Sequence, residues 1–327
     1  MHADFAMQRA IELARCGLGK TRGNPIVGAV IFDSSGIISE GFHQSGPHAE
    51  VVAINNAKRD LSGTSIAVTL EPCNHQGKTP PCTDAIIAAG IKEVIYAVKD
   101  PHVIAAGGSE TLAKAGIEVT SGVLDKEASF ANRAWLFAIK HHRPYFTWKI
   151  AATLDGKIAA VDGTSKWITN EKSRAYVSQL RAESDAIIVG TGTALADDPN
   201  LVVDGVHHAP LRVIVGQREI PATAKAFDDR APSYHHRSRN LHTLAATLWE
   251  RNAVNALVEA GPELGTAMLK AGLINEIALF TAPKILGAGH NAINDLGISS
   301  ITQALTLTPI DHRQFDGDLF TRYAVTR

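Results

Sequence analysis

Two periods of apolar positions run along this chain. Over 4–16, Phe5, Met7, Ile11, Leu13 and Ala14 recur at helical spacing, and Gly17 and Gly19 end the run. Residues 26–32 form a β-rich apolar run that stops at the turn Asp33-Ser34-Ser35-Gly36. The same reading predicts helices over 49–58, 83–89 and 110–115, and strands over 65–70, 93–98 and 117–120. A long helix is expected from 125 to about 141, closed by His142-Arg143-Pro144, because the residue before a proline is pushed out of helical geometry. The alternation then restarts, with strand or helix runs at 145–152, 171–181, 186–189, 211–215, 256–259, 264–270 and 276–281. The polar stretch 227–240 reads as a solvated surface loop. Two blocks of alternating strands and helices predict an α/β chain of two layered domains, 1–143 and 144–327.

Composition narrows the classes. A length of 327 residues suits two domains, and 45% apolar with 20% charged residues is ordinary for a soluble globular protein. Lys plus Arg total 32 against 33 for Asp plus Glu, so no long-range basic field is available for nucleic acid or an anionic membrane. No apolar run reaches bilayer length, and the start Met1-His2-Ala3-Asp4-Phe5 lacks the basic and apolar regions of a leader. Three cysteines imply no disulfide framework, so the cytoplasm is the expected compartment. Cys16, on the first helix with no partner motif, reads as an ordinary packed cysteine.

The most informative segment is Pro47-His48-Ala49-Glu50, followed by Glu71-Pro72-Cys73 and Pro81-Cys82. A catalytic zinc takes three N or S ligands and keeps one open place, and His48, Cys73 and Cys82 meet that count. In an H-x-E arrangement the glutamate, here Glu50, moves protons rather than binding metal. Taken singly, His-x-Glu is a common surface pair and two cysteines nine apart can be core thiols. The conjunction favours a zinc centre, and a purely structural site would normally have four ligands. After residue 145 no metal pattern appears. The strand-to-helix turns at 190–193 and 258–265 suit a phosphate, but neither is a G-x-G-x-x-G fingerprint, since position 195 is Leu. From these residues alone, ordinary turns remain the simpler reading.

His-Ala-Glu with Pro-Cys and a second Cys resembles the cytidine-deaminase-like superfamily of zinc deaminases. The stretch 69–82 (TLEPCNHQGKTPPC), with Asn24-Pro25-Ile26-Val27-Gly28 and Asp100-Pro101, resembles more narrowly the bifunctional deaminase–reductases of riboflavin biosynthesis. Segments at 149–156, 165–169, 180–182, 197–201, 258–262 and 282–287 occur in the same order in that family's reductase domain. The resemblance implies a cytidine-deaminase-like three-layer α/β/α domain followed by a dihydrofolate-reductase-like α/β domain. It implies one zinc per chain, NADPH, a small phosphorylated pyrimidine substrate and a homo-oligomer. In the deaminase half it places substrate at Asn24, His43, Lys78 and Asp100. In the reductase half it places cofactor at Ala151, Trp167, Thr193, Asp197, Gly261, Pro262, Glu263, Leu264 and Gly265, and substrate at Ser165, Arg181, Leu201 and Glu259. Simple core packing is the competing reading for Trp167 and Leu201.

The chain departs from that pattern in places. Ala29 replaces the usual Cys, the loop 41–48 is shortened around His43, and His102 stands where an Asn is usual. Val215-Gly216-Gln217 replaces an Asp-Ser after its strand. Asp204 replaces an arginine that binds phosphate, so Arg181 or Lys149 is expected to compensate, or else the reductase is weakened. The expected function is hydrolytic deamination of a 2,5-diamino-6-(5-phosphoribosylamino)pyrimidinone, then NADPH reduction of the ribosyl chain to ribityl. Two rivals are a zinc deaminase of another base or nucleoside with an inactive second domain, and a non-catalytic zinc-stabilised sensor.

Overall fold

The computed structural model describes residues 2–77, 80–102, 105–203, 205–206 and 208–326. The chain divides into two compact units, 1–141 and 142–327.

The first unit runs α1 (Ala3–Arg15), β1 (Gly28–Asp33), β2 (Gly36–Phe42), α2 (Ala49–Asn56), β3 (Ser65–Leu70), α3 (Cys82–Ala88), β4 (Glu93–Val98), α4 (Gly108–Lys114), β5 (Glu118–Ser121), α5 (Asp125–Ala131) and α6 (Arg133–His141). Its sheet has the order β2-β1-β3-β4-β5; β1 is antiparallel to β2 and β3, and β3, β4 and β5 are parallel. Helix α1 buries Met7, Ile11, Leu13 and Ala14 of the expected stripe, together with Ala6 and Ala10, whereas Phe5 turns outward and is exposed. A Cβ on Gly28 would strike the α1 backbone, and one on Gly41 the α2 backbone. Gly28 pairs with Phe42 and Ala29 with Gly41, so these two glycines point to opposite faces. Helices therefore cover both faces, giving three layers.

The long helix expected over 125–141 is two helices. Asn132 breaks it, because its buried side chain accepts from Ile26 N and donates to Ile26 O at the entrance to β1. Cys16 also differs from expectation. It is exposed at the end of α1, with its thiol 3.8 Å from Glu12 O.

The second unit runs β6 (Tyr145–Thr153), β7 (Lys157–Ala159), α7 (Glu171–Ala182), β8 (Ala186–Gly190), α8 (Thr191–Asp197), β9 (Leu211–Val215), β10 (Ser233–His236), α9 (Leu241–Glu250), β11 (Asn255–Val258), α10 (Pro262–Lys270), β12 (Ile274–Ala282), β13 (His290–Asn291), β14 (Leu307–Phe315) and β15 (Asp318–Val325). The main sheet has the order β10-β9-β8-β11-β6-β12-β15-β14; β10 to β12 are parallel and β15 and β14 close one edge antiparallel. One face packs Trp148, Ile188 and Val258 under Leu244 and Leu248 of α9 and Met268 and Leu269 of α10. The other packs Leu257, Phe280 and Phe320 under Tyr176 and Leu180 of α7. The stretch 227–240 is not all loop. Residues 233–236 pair in parallel with β9 as an edge strand, which needs no apolar alternation because one side stays wet. The pair β14–β15 was likewise silent in the apolar pattern, since β14 is a largely exposed edge strand.

Candidate active sites

In the first unit, Ala49 opens α2 directly after His48, and Glu50 lies in its first turn. Cys73 follows β3 in an irregular segment, and Cys82 is the first residue of α3. His48 Nδ1 lies 3.3 Å from Cys82 Sγ and 3.4 Å from Cys73 Sγ, and the three donor atoms all fall within 4.8 Å of one another. A tetrahedral zinc with bonds of about 2.3 Å to S and 2.05 Å to N sets N and S about 3.5 Å apart. The observed separations match that edge to a few tenths of an ångström, so the residues fit the ion.

Hydrogen bonds from Cys82 and His48 hold the Cys73 thiol down to about 4, although burial opposes them. Donating to Cys73, together with burial, pushes Cys82 up. A cation among the three donors would deprotonate both thiols. Glu50 is buried at 3% exposure, and burial raises its carboxyl above the usual range.

His43 is buried with Nδ1 3.1 Å from Pro47 O, and its ring meets the His48 ring edge-on at 5.3 Å. Despite its shortened loop, it therefore stands beside the metal ligands. Asp100 is buried, raised by desolvation, and accepts from His102 N at 2.8 Å. Asn24 is exposed in a turn closed by Thr21, whose hydroxyl donates to Asn24 O at 2.8 Å. Lys78 lies outside the described residues. Sequence reasoning passed over Glu71 as more than motif. Its buried carboxylate accepts from Asp100 N at 3.3 Å and from Ser109 N and Oγ at 3.0 and 2.7 Å. It ties the Asp100 loop and the start of α4 to the cysteine segment.

In the second unit four of the expected residues lie at the carboxyl ends of parallel strands, where open α/β sheets bind ligands. Ala151 lies near the end of β6, Thr193 just past β8, and Glu259 and Gly261 just past β11. Glu259 accepts a two-pronged hydrogen bond from Arg181, one prong 2.8 Å, and Lys149 Nζ stands 3.5 Å away. Burial pushes Glu259 up, but Lys149 and Arg181 outweigh it and hold its carboxyl below the usual range. Arg181 and Lys149 thus share one carboxylate, and the group carries a single net positive charge.

Trp167 is 63% exposed, under the Arg174 guanidinium at 4.4 Å, and its carbonyl accepts from Lys284 Nζ at 2.7 Å. Ser165 and Asp197 are exposed, with Asp197 3.9 Å from Lys166 Nζ. Leu201, by contrast, is 2% exposed in a core with Val189 and Ile214. Gly261 caps α10, Pro262 starts it, and Glu263 and Leu264 continue its first turn. Gly265 is buried against the Trp148 indole. Asp204 lies outside the described residues.

Residues 2–98 match the cytidine and deoxycytidylate deaminase zinc-binding region, and residues 144–321 match the RibD C-terminal domain. The chain is 45% identical to the riboflavin biosynthesis protein RibD of Mycobacterium tuberculosis over 311 residues, 92% of this chain and 91% of that protein. It is 34% identical to that of Escherichia coli, covering 93% of this chain and 94% of that one. A diaminohydroxyphosphoribosylaminopyrimidine deaminase/5-amino-6-(5-phosphoribosylamino)uracil reductase of Thermotoga maritima superposes with a TM-score of 0.92 at 34% identity, over 99% of each chain.

Proposed function

The chain belongs to the RibD family, and we propose that its residues divide the two reactions of that family between the two units. It is a bifunctional deaminase and reductase of riboflavin biosynthesis, a zinc hydrolase joined to an NADPH-dependent oxidoreductase. The observation that carries the residue assignment is the convergence of His48, Cys73 and Cys82 beside buried Glu50.

His48, Cys73 and Cys82 would hold a zinc ion, which would supply an activated water as nucleophile near neutral pH. Glu50 takes up the proton released and passes it to the departing ammonia. His43 and Asp100 face the pyrimidine, with Glu71 holding the Asp100 loop in place. Asn24 is assigned a further substrate contact, and the family resemblance assigns one to Lys78.

In the second unit NADPH supplies hydride, and the protein's part is positioning and exclusion of water. The Gly261–Leu264 turn opening α10 offers backbone donors to the cofactor's pyrophosphate. Arg181, aligned by Glu259, and Lys149 meet the ribosyl phosphate. Trp167, Thr193, Asp197 and Ala151 line the cofactor, and Ser165 contacts substrate. Leu201 acts from the core beneath, by shape. Among the described residues no helix is long and apolar enough to cross a membrane. A cytoplasmic setting and a homo-oligomer complete the proposal, and sedimentation tests the latter.

The test follows ammonia and NADPH in one tube with the diamino phosphoribosylamino pyrimidine as substrate. Both signals are expected, in sequence. Glu50→Gln is expected to cut ammonia release by ~10²–10⁴-fold with zinc content intact. Ammonia release at the parent rate would sink the role of Glu50. Activity on cytidine or guanine with no NADPH loss would favour the rival deaminase.

A further inference from the structure

Trp167 stands apart among the four tryptophans of the chain. It is 63% exposed, whereas Trp135 and Trp148 are 6% and 0% exposed and Trp249 is half-buried. An indole left in water would turn among several rotamers, yet two cations from separate elements hold this one. The Arg174 guanidinium lies 4.4 Å from the ring centroid and covers one face. Arg174 Nη1 also donates to Thr169 O at 2.7 Å, which fixes the guanidinium over the ring. Lys284 Nζ donates to the Trp167 carbonyl at 2.7 Å.

Both cations stand on fixed backbone. Arg174 sits in the first turn of α7, whose start is clamped to β15. There Asp318, 3% exposed, accepts from Asn170 N at 2.7 Å and from Ser173 Oγ at 2.6 Å. Lys284 lies two residues past β12, and its carbonyl accepts from Leu154 N, just past β6, at 2.8 Å. Strands β6 and β12 pair in parallel as far as Thr153 and Ala282, with Ala151 opposite Phe280. Trp167 is therefore tied to the carboxyl ends of the strand pair that carries Ala151. A ring ordered in advance spares its ligand the entropy of ordering it on binding. Loss of that restraint weakens the ground state and the transition state alike, which raises KM and leaves kcat.

We infer that Arg174 is a positioning residue of the reductase: it holds the Trp167 indole ready at the mouth of the cofactor site, while Lys284 fixes the Trp167 backbone. This rests on the reading of the second unit as a reductase in which Trp167 meets the cofactor. Arg174 acts through the ring and does not itself touch the cofactor.

The test compares Arg174→Met, Arg174→Lys, Trp167→Ala and the double variant Arg174→Met with Trp167→Ala, all in the full chain. Acrylamide quenching of fluorescence reads the freedom of the ring without turnover, and the component that Trp167→Ala removes belongs to Trp167. In Arg174→Met that component should be quenched more readily. With pre-deaminated substrate, the KM for NADPH should rise about two- to fivefold, the size of an exposed cation–π contact. The kcat should change less than about twofold, and ammonia release should not change, since α7 lies outside the first unit. Arg174→Lys keeps a cation and should recover part of both effects. On the Trp167→Ala background, Arg174→Met should add nothing further to KM. Unchanged quenching and KM in Arg174→Met would overturn the inference. So would a rise in KM that persists in full without Trp167, which would make Arg174 a direct contact. A fall in kcat and Tm with unchanged quenching would make Arg174 merely structural and overturn it too. If Trp167→Ala itself leaves the KM for NADPH unchanged, the reading of Trp167 as a cofactor contact falls, and this inference with it.

Discussion

Replacing Glu259 with glutamine removes the charge that Arg181 and Lys149 share while keeping the side chain's size. The Glu259 side chain is only 7% exposed, whereas Arg181 and Lys149 are 28% and 20% exposed. Breaking a fully buried pair costs about 3–5 kcal/mol. Water reaches both cations here, so the cost is discounted to about 2 kcal/mol. For a unit of this size each kcal/mol moves Tm by roughly 2–4 °C, so a drop of about 4–8 °C is expected for its transition. The sign with pH follows from the lowered Glu259 carboxyl. Its contribution is present above the unfolded value of about 4.3 and is lost as pH falls through the lower native value. The gap between wild type and Glu259→Gln should therefore be full at neutral pH and close on acidification below about pH 4. Scanning calorimetry from pH 7 to pH 3 measures it. The KM for the phosphorylated substrate should rise as well, because Arg181 loses its tether. A variant melting within about 1 °C of wild type at neutral pH, or a gap that persists unchanged in acid, would refute the reasoning.

Removing metal by dialysis against a chelator should stop ammonia release yet leave NADPH oxidation with pre-deaminated substrate, since all three donors lie in the first unit. Metal analysis should show Cys82→Ser depleted and Cys16→Ser normal, because Cys82 belongs to the cluster and Cys16 does not. Gly265→Ala places a Cβ 2.0 Å from Trp148 Cζ2. Overpacking of about 1–3 kcal/mol should outweigh the helix-propensity gain of about 1 kcal/mol, lowering Tm and changing the near-ultraviolet Trp signal; a stabilised variant would contradict this.

What the sequence by itself determined was local. The positions Met7, Ile11, Leu13 and Ala14 and the apolar runs of β3 and β4 declare a helix and strands because their periods are short-range properties. His48-Ala49-Glu50 with Cys73 and Cys82 declared zinc chemistry, because few other uses demand that donor set at that spacing. Where the signal was weak, the environment was mixed. Residues 233–236 and 307–315 are edge strands with wet sides, so their apolar pattern is diluted. The tertiary structure alone decided the break at Asn132, made by a bond to Ile26 across 106 residues. It alone split Trp167 from Leu201, exposing one and burying the other. It showed Arg181 committed to Glu259 across 78 residues and Glu71 holding Ser109 across 38. Such pairings depend on which strand ends the fold brings side by side, a long-range property that no window of neighbouring residues contains.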